Sequence, residues 1–110
     1  MVYKTDTINR LLDRYVEELK KDILIDKIIL FGSYAKNQAN NESDIDIAVI
    51  SRNFGIKPLE DFKIVNKALW RIDSDRIIQV HAFSPKDFEE NDFFTQEILR
   101  TGITIYPNTP

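Results

Sequence analysis

The chain has no cysteine, which excludes disulfides and thiolate metal sites. Its apolar runs stay far below the roughly 18 residues that a membrane span needs. The opening segment "MVYKTDTINR" lacks the apolar centre of a signal peptide. A cytoplasmic protein is therefore expected, with no membrane partner. Glycine and proline are scarce, at three and four residues, and neither a low-complexity tract nor an internal repeat is present. One compact unit is expected. A basic excess is missing too. The net charge of −3 argues against a long nucleic-acid track, which needs a basic face, but leaves room for a local basic patch.

What is present suits a globular core. Hydrophobic residues make up 43% and aromatic residues 11% of 110 positions. That length fits one domain, 1–110, burying roughly two-thirds of the surface its unfolded chain exposes.

Periodicity assigns the elements. Ile8, Leu11, Leu12, Tyr15, Val16, Leu19 and Ile23 recur at helical spacing, predicting an amphipathic helix over 5–22. "KIILFG" (27–32) reads as a buried strand closed by glycine, and "SYAKNQA" (33–39) as a short helix entered from it. "NNES" (40–43) is turn chemistry. "DIDIAVIS" (44–51) alternates, placing Ile45, Ile47 and Val49 on one face and Asp44, Asp46 and Ala48 on the other. After a loop, Pro58 opens a second long helix with an apolar stripe of Leu59, Phe62, Val65, Ala68, Leu69 and Ile72. "RIIQVHAF" (76–83) is a third strand. Ser84 and Pro85 cap a helix that runs to about Arg100 with a break near Asn91, and "ITIY" is a last strand after Gly102. The resulting fold class is α/β (α+β), a mixed sheet covered mainly on one face by helices.

Two features carry chemistry. Gly32 and Ser33 stand where a strand turns into a helix. There the missing side chain lets a ligand approach the backbone, and free N–H groups suit a phosphate. Alone, such a step also serves purely structural ends. Asp44 and Asp46 lie two apart on a strand, so both carboxylates point one way with Cα atoms about 6.5–7 Å apart. Strands are depleted in aspartate, and the like charges repel. A divalent cation offsets that cost, and hard oxygen ligands suit Mg2+, which draws its other ligands from water and substrate phosphates. An isolated Asp-x-Asp reads more simply as an acidic strand end; the preceding Gly-Ser step changes that balance.

Gly32-Ser33, ten residues, then Asp44-x-Asp46 resembles the signature of the DNA polymerase beta-like nucleotidyltransferase superfamily. The surrounding "ILFGSYAKNQANNESDIDIAVI" is most similar to its minimal prokaryotic members, the MNT domains. The resemblance implies that Gly32 and Ser33 hold triphosphate oxygens and that Asp44 and Asp46 bind Mg2+. It also implies nucleotidyl transfer from ATP or another NTP. Minimal members commonly pair with a helical HEPN protein as antitoxin and toxin, and some transfer AMP to a tyrosine of the toxin. The short chain is consistent with an acceptor on a separate partner. Lys36, one helical turn beyond the Gly-Ser step, reads equally as a phosphate contact or a solvated lysine.

One position departs from the pattern. The family normally supplies a third carboxylate from a later strand, and the matching position in "DRIIQVHAF" is Gln79. Alternation puts Ile78, Val80 and Ala82 toward the core and Ile77, Gln79 and His81 on the other face. Glutamine can coordinate through oxygen but carries no charge and is no base. Asp75 has the right parity about 13 Å earlier along an extended strand, and Asp73 precedes it in a loop. His81, the single histidine, shares the face of Gln79. Its near-neutral pKa suits a phosphate contact or a base, while a half-buried strand histidine with one hydrogen bond is the simpler reading. Tyr34 reads as packing, Trp70 as core or partner surface, and "KPLEDFK" as a solvated helix start. Two functions follow: a Mg2+-dependent nucleotidyltransferase, or a catalytically weakened nucleotide-binding or antitoxin module that works by binding a partner.

Overall fold

A computed structural model describes residues 5–32, 44–72, 77–90 and 92–107. The elements are α1 (Thr5–Leu19), β1 (Lys27–Phe31), β2 (Ile45–Ile50), α2 (Pro58–Arg71), β3 (Ile78–Phe83), α3 (Pro85–Glu90), α4 (Asp92–Thr101) and β4 (Ile103–Tyr106). The expected helix over 33–39 lies outside the described residues. α3 ends at Glu90 and α4 begins at Asp92; Asn91, where a break is expected, lies outside the described residues. Ser84 caps α3 as expected, its hydroxyl accepting from the Asp87 N–H at 3.0 Å.

The sheet order is β3-β2-β1-β4. β1 pairs antiparallel with both β2 and β4, whereas β2 and β3 run parallel. The parallel pair is joined through α2, the usual solution because a hairpin cannot connect parallel strands. The alternation of β2 then sorts its residues. Ile45, Ile47 and Val49 face a large core with Ile28, Leu30 and Ile78, roofed by Leu12, Tyr15 and Leu19 of α1, Val65 and Ala68 of α2, and Ile72 just after it. Burying a side chain of this size contributes about 1.5–3 kcal/mol. Two polar contacts lock the helices together: the Tyr15 hydroxyl donates to the Val65 carbonyl at 3.0 Å, and Arg14 donates to the Ile72 carbonyl at 2.5 Å. The loss of solvent around Tyr15 pushes its phenol well above the ordinary range.

The opposite face carries a smaller cluster. Ile29, Phe31, Ala48 and Ile50 pack under Phe88 and Ile98, with Phe83 alongside. The short helices α3 and α4 thus cover the far part of that face, and Asp44 and Asp46 stay half-buried at its other end.

Two expectations need correction. Leu59 and Phe62 do not face the core; they are 65% and 63% exposed. The inward position of that turn belongs to Asp61, which is buried and accepts the Gly55 N–H at 2.9 Å. That hydrogen bond ties the preceding loop to α2 and leaves the neighbouring apolar side chains outside. Ala82, expected in the core, is exposed because β3 is an edge strand. Trp70, at 82% exposure, belongs to the surface.

Candidate active site

Three strands meet at one end of the sheet. β1 delivers Phe31 and then Gly32, whose φ of +77° is a left-handed conformation that only glycine adopts without strain. Phe31 stands opposite Asp46 in the β1/β2 register. The backbone of Gly32 therefore runs beside the Asp46 carboxylate. A Cβ on Gly32 would lie 2.7 Å from Asp46 Oδ2, closer than real atoms pack. The absent side chain lets the Asp46 carboxylate lie directly against the strand-end turn.

From the other side, β3 aligns Gln79 with Asp46 and His81 with Ala48. Gln79 is exposed on the acidic face of the sheet, the face its alternation predicts. Its Nε2 donates to Asp44 Oδ2 at 2.6 Å, a short charge-assisted hydrogen bond. His81 is half-buried. Its Nε2 lies 3.8 Å from Asp46 Oδ1, and its ring packs against Phe31 with centroids 5.3 Å apart. Asp44 thus accepts from Gln79, and Asp46 faces a ring nitrogen of His81.

Burial pushes the Asp46 carboxyl above the ordinary carboxylate range. The positive charge available to His81 opposes that shift, and the negative charge of Asp44 adds to it. Among the described residues, no three side chains of the His, Cys, Asp and Glu types gather into a metal-holding cluster. The donor set is two half-buried carboxylates on one face plus a neutral amide. That set fits Mg2+ as a site in which water and phosphate oxygens complete the coordination.

Ser33 and Lys36 lie outside the described residues, as do Asp73, Asp75 and Tyr34. The structure thus brings together Gly32, Asp44, Asp46 and Gln79, with His81 beside them. Phe31 is the neighbour that sequence reasoning missed. Its apolar character marked it only as core, and its place beside His81 depends on register across three strands.

The family model for "Polymerase beta, Nucleotidyltransferase" matches residues 14–110. Two relatives from Methanocaldococcus jannaschii are named as protein adenylyltransferases. MJ1305 is 38% identical over 61 residues, which are 53% of this chain and 41% of that protein. MJ0141 is 42% identical over 41 residues, 32% of this chain and 41% of that protein. The chain therefore spans about two-fifths of the length of these relatives. A nucleotidyltransferase structure from Sulfolobus solfataricus superposes with a TM-score of 0.65 at 15% identity, over 89% of this chain and 78% of that one. A toxin-antitoxin structure with AMP-PNP gives 0.62 at 22% identity, over 86% and 71%. An MntA-HpeT toxin-antitoxin mutant, with two aspartates two positions apart changed to glutamate, gives 0.60 at 19% identity, over 86% and 70%. These structures share the fold. With the family match running over nearly the whole sequence, the chain belongs to the polymerase beta nucleotidyltransferase family and has the fold of its minimal, MNT-type members.

Proposed function

We propose that residues 1–110 form a nucleotidyltransferase domain that uses Mg2+ and ATP to transfer AMP to an acceptor hydroxyl, a tyrosine of a HEPN-type partner protein, in the cytoplasm. The observation that carries this reading is the meeting of Gly32, Asp44 and Asp46 at one end of the sheet, with Gln79 in the cross-strand position beside Asp46. Relatives named as protein adenylyltransferases support protein as the acceptor class. The toxin-antitoxin neighbours, one with AMP-PNP, support a nucleotide and a protein partner.

In the transfer, the acceptor oxygen forms a bond to the α-phosphorus. The bond from that phosphorus to the bridging oxygen breaks, pyrophosphate leaves, and the hydroxyl proton passes to solvent. Asp44 and Asp46 are the residues that would hold Mg2+, which when bound supplies positive charge to the phosphate oxygens. Gly32 leaves room for a phosphate against its backbone, and Ser33 and Lys36 are assigned as its donors. Gln79 holds Asp44 in place by its amide and takes no proton.

One observation favours a second reading, a partner-binding module with weakened catalysis: Gln79 offers Asp44 a hydrogen-bond donor where the family has an acid. ATP labelled at the α- or the γ-phosphate, incubated with Mg2+, this protein and a candidate helical partner, separates the two. Transfer predicts α-label on a partner tyrosine, no γ-label, and loss of both label and pyrophosphate release in the Asp44→Asn, Asp46→Asn double variant. A stable complex that gains no label from either ATP supports the binding module.

A further inference from the structure

The two oxygens of Asp46 face different neighbours. Oδ2 lies toward Gly32, at the strand-end turn. Oδ1 faces His81 Nε2 at 3.8 Å. With a proton on Nε2 the N–H dipole points toward Oδ1, whereas a bare ring nitrogen would turn its lone pair on the carboxylate. The imidazole is also held from behind. Phe31 and His81 stand on strands to either side of β2, and their rings meet with centroids 5.3 Å apart at a 56° tilt. Adjacent strands are about 4.8 Å apart, so both rings must lean over β2. The side chain opposite His81 on β2 is the fully buried Ala48, whose methyl leaves space for that contact.

We propose that His81 is a positioning residue for Asp46: braced by Phe31, it directs an N–H at Oδ1 and so presents Oδ2 toward the Gly32 turn for metal binding. This rests on the reading of Asp46 as a metal ligand. Groups that orient a metal-binding carboxylate from behind typically change affinity by about 10–100-fold when removed. His81 supplies such a group without adding a third negative charge to a site whose third-acid position is the neutral Gln79.

Mn2+ is the probe, titrated alone and with ATP, with bound ion read by electron paramagnetic resonance. His81→Phe keeps a ring against Phe31 and removes the donor. His81→Gln sets an amide N–H near the position of Nε2. The expected result is a loss of about tenfold or more in Mn2+ affinity for His81→Phe, with most of it restored in His81→Gln and little change in melting temperature for either. His81→Leu, which also lacks the donor, replaces the phenylalanine variant if that one does not fold. Equal Mn2+ affinity in His81→Phe and wild type overturns the proposal, as does an equal loss in His81→Phe and His81→Gln. Asp46→Asn is the reference. If wild type binds Mn2+ and Asp46→Asn does not, any failure belongs to His81 alone. If wild type and Asp46→Asn bind alike, or neither binds, both His81 and the metal site are overturned.

Discussion

Gln79 donates its amide N–H to Asp44 across 2.6 Å, from β3 to the residue that enters β2. A carboxylate at this place would stand against Asp44 with like charge. The glutamine therefore stabilises the metal-free domain and, in the proposed site, supplies neither a charge nor a base. Gln79→Glu should invert both effects. Without metal, the melting temperature should fall by several degrees, which corresponds to about 1 kcal/mol in a domain of this size. Added Mg2+ should recover it, because a ligand that binds only the folded form raises its stability. Turnover should rise and its Mg2+ dependence should sharpen, with nucleotide affinity little changed. Thermal melts with and without Mg2+, alongside the transfer assay, check this. An unaltered transfer rate would overturn the assignment of Gln79 to the third-acid position.

Gly32→Ala tests the space beside Asp46. A φ of +77° costs an alanine about 1–2 kcal/mol, and its Cβ would press on Asp46 Oδ2. Mn2+ affinity should fall by more than that backbone cost explains. Comparing denaturant unfolding with metal titration on the same variant distinguishes the two losses.

Asp46 sets a pH dependence. Burial raises its folded-state pKa above the unfolded value of 3.8, partly opposed by His81. A group raised in this way adds stability below its unfolded pKa, and that contribution disappears as pH rises through the folded pKa. Asp46→Asn should therefore melt higher than wild type near neutrality, and the gap should close on acidification toward pH 4. Melts across that range at fixed ionic strength check the sign. A gap that widens in acid would contradict it.

Asp61→Ala should leave the site untouched and weaken the fold. Its loss removes a hydrogen bond from the exposed loop N–H of Gly55 to a buried carboxylate, a cost of about 1–3 kcal/mol. Urea unfolding should show this, with Mn2+ affinity unchanged. Asp61 was also where helical spacing misled. Leu59 and Phe62 have the period of a buried stripe, but periodicity does not reveal that an acid can take the inward place by capturing a loop N–H. The acidic strand was far more legible. Asp44 and Asp46 at spacing two violate strand preference together, and no packing gain offsets their repulsion, so the violation itself marked them. Alternation also put Gln79 and His81 on the correct face. It did not show that Gln79 bonds Asp44, or that Phe31 reaches His81, because those contacts depend on the register of separate strands. The start of the first of the two short helices on the second face was readable from its Ser84 cap. Their covering of Ala48 and Ile50 was not readable from alternation, which left that whole face open.

The central claim is that Asp44 and Asp46 join metal to nucleotide. Calorimetric titration of ATP with and without Mg2+ tests it most directly, in wild type and in the Asp44→Asn, Asp46→Asn double variant. In wild type each ligand should tighten the other by about tenfold or more, a typical coupling between linked sites, since the ion screens triphosphate charge that both carboxylates otherwise repel. The double variant should bind ATP with no gain from Mg2+ beyond that of the Mg-ATP complex in solution. Unchanged Mg-ATP affinity and unchanged coupling in that variant would contradict the account.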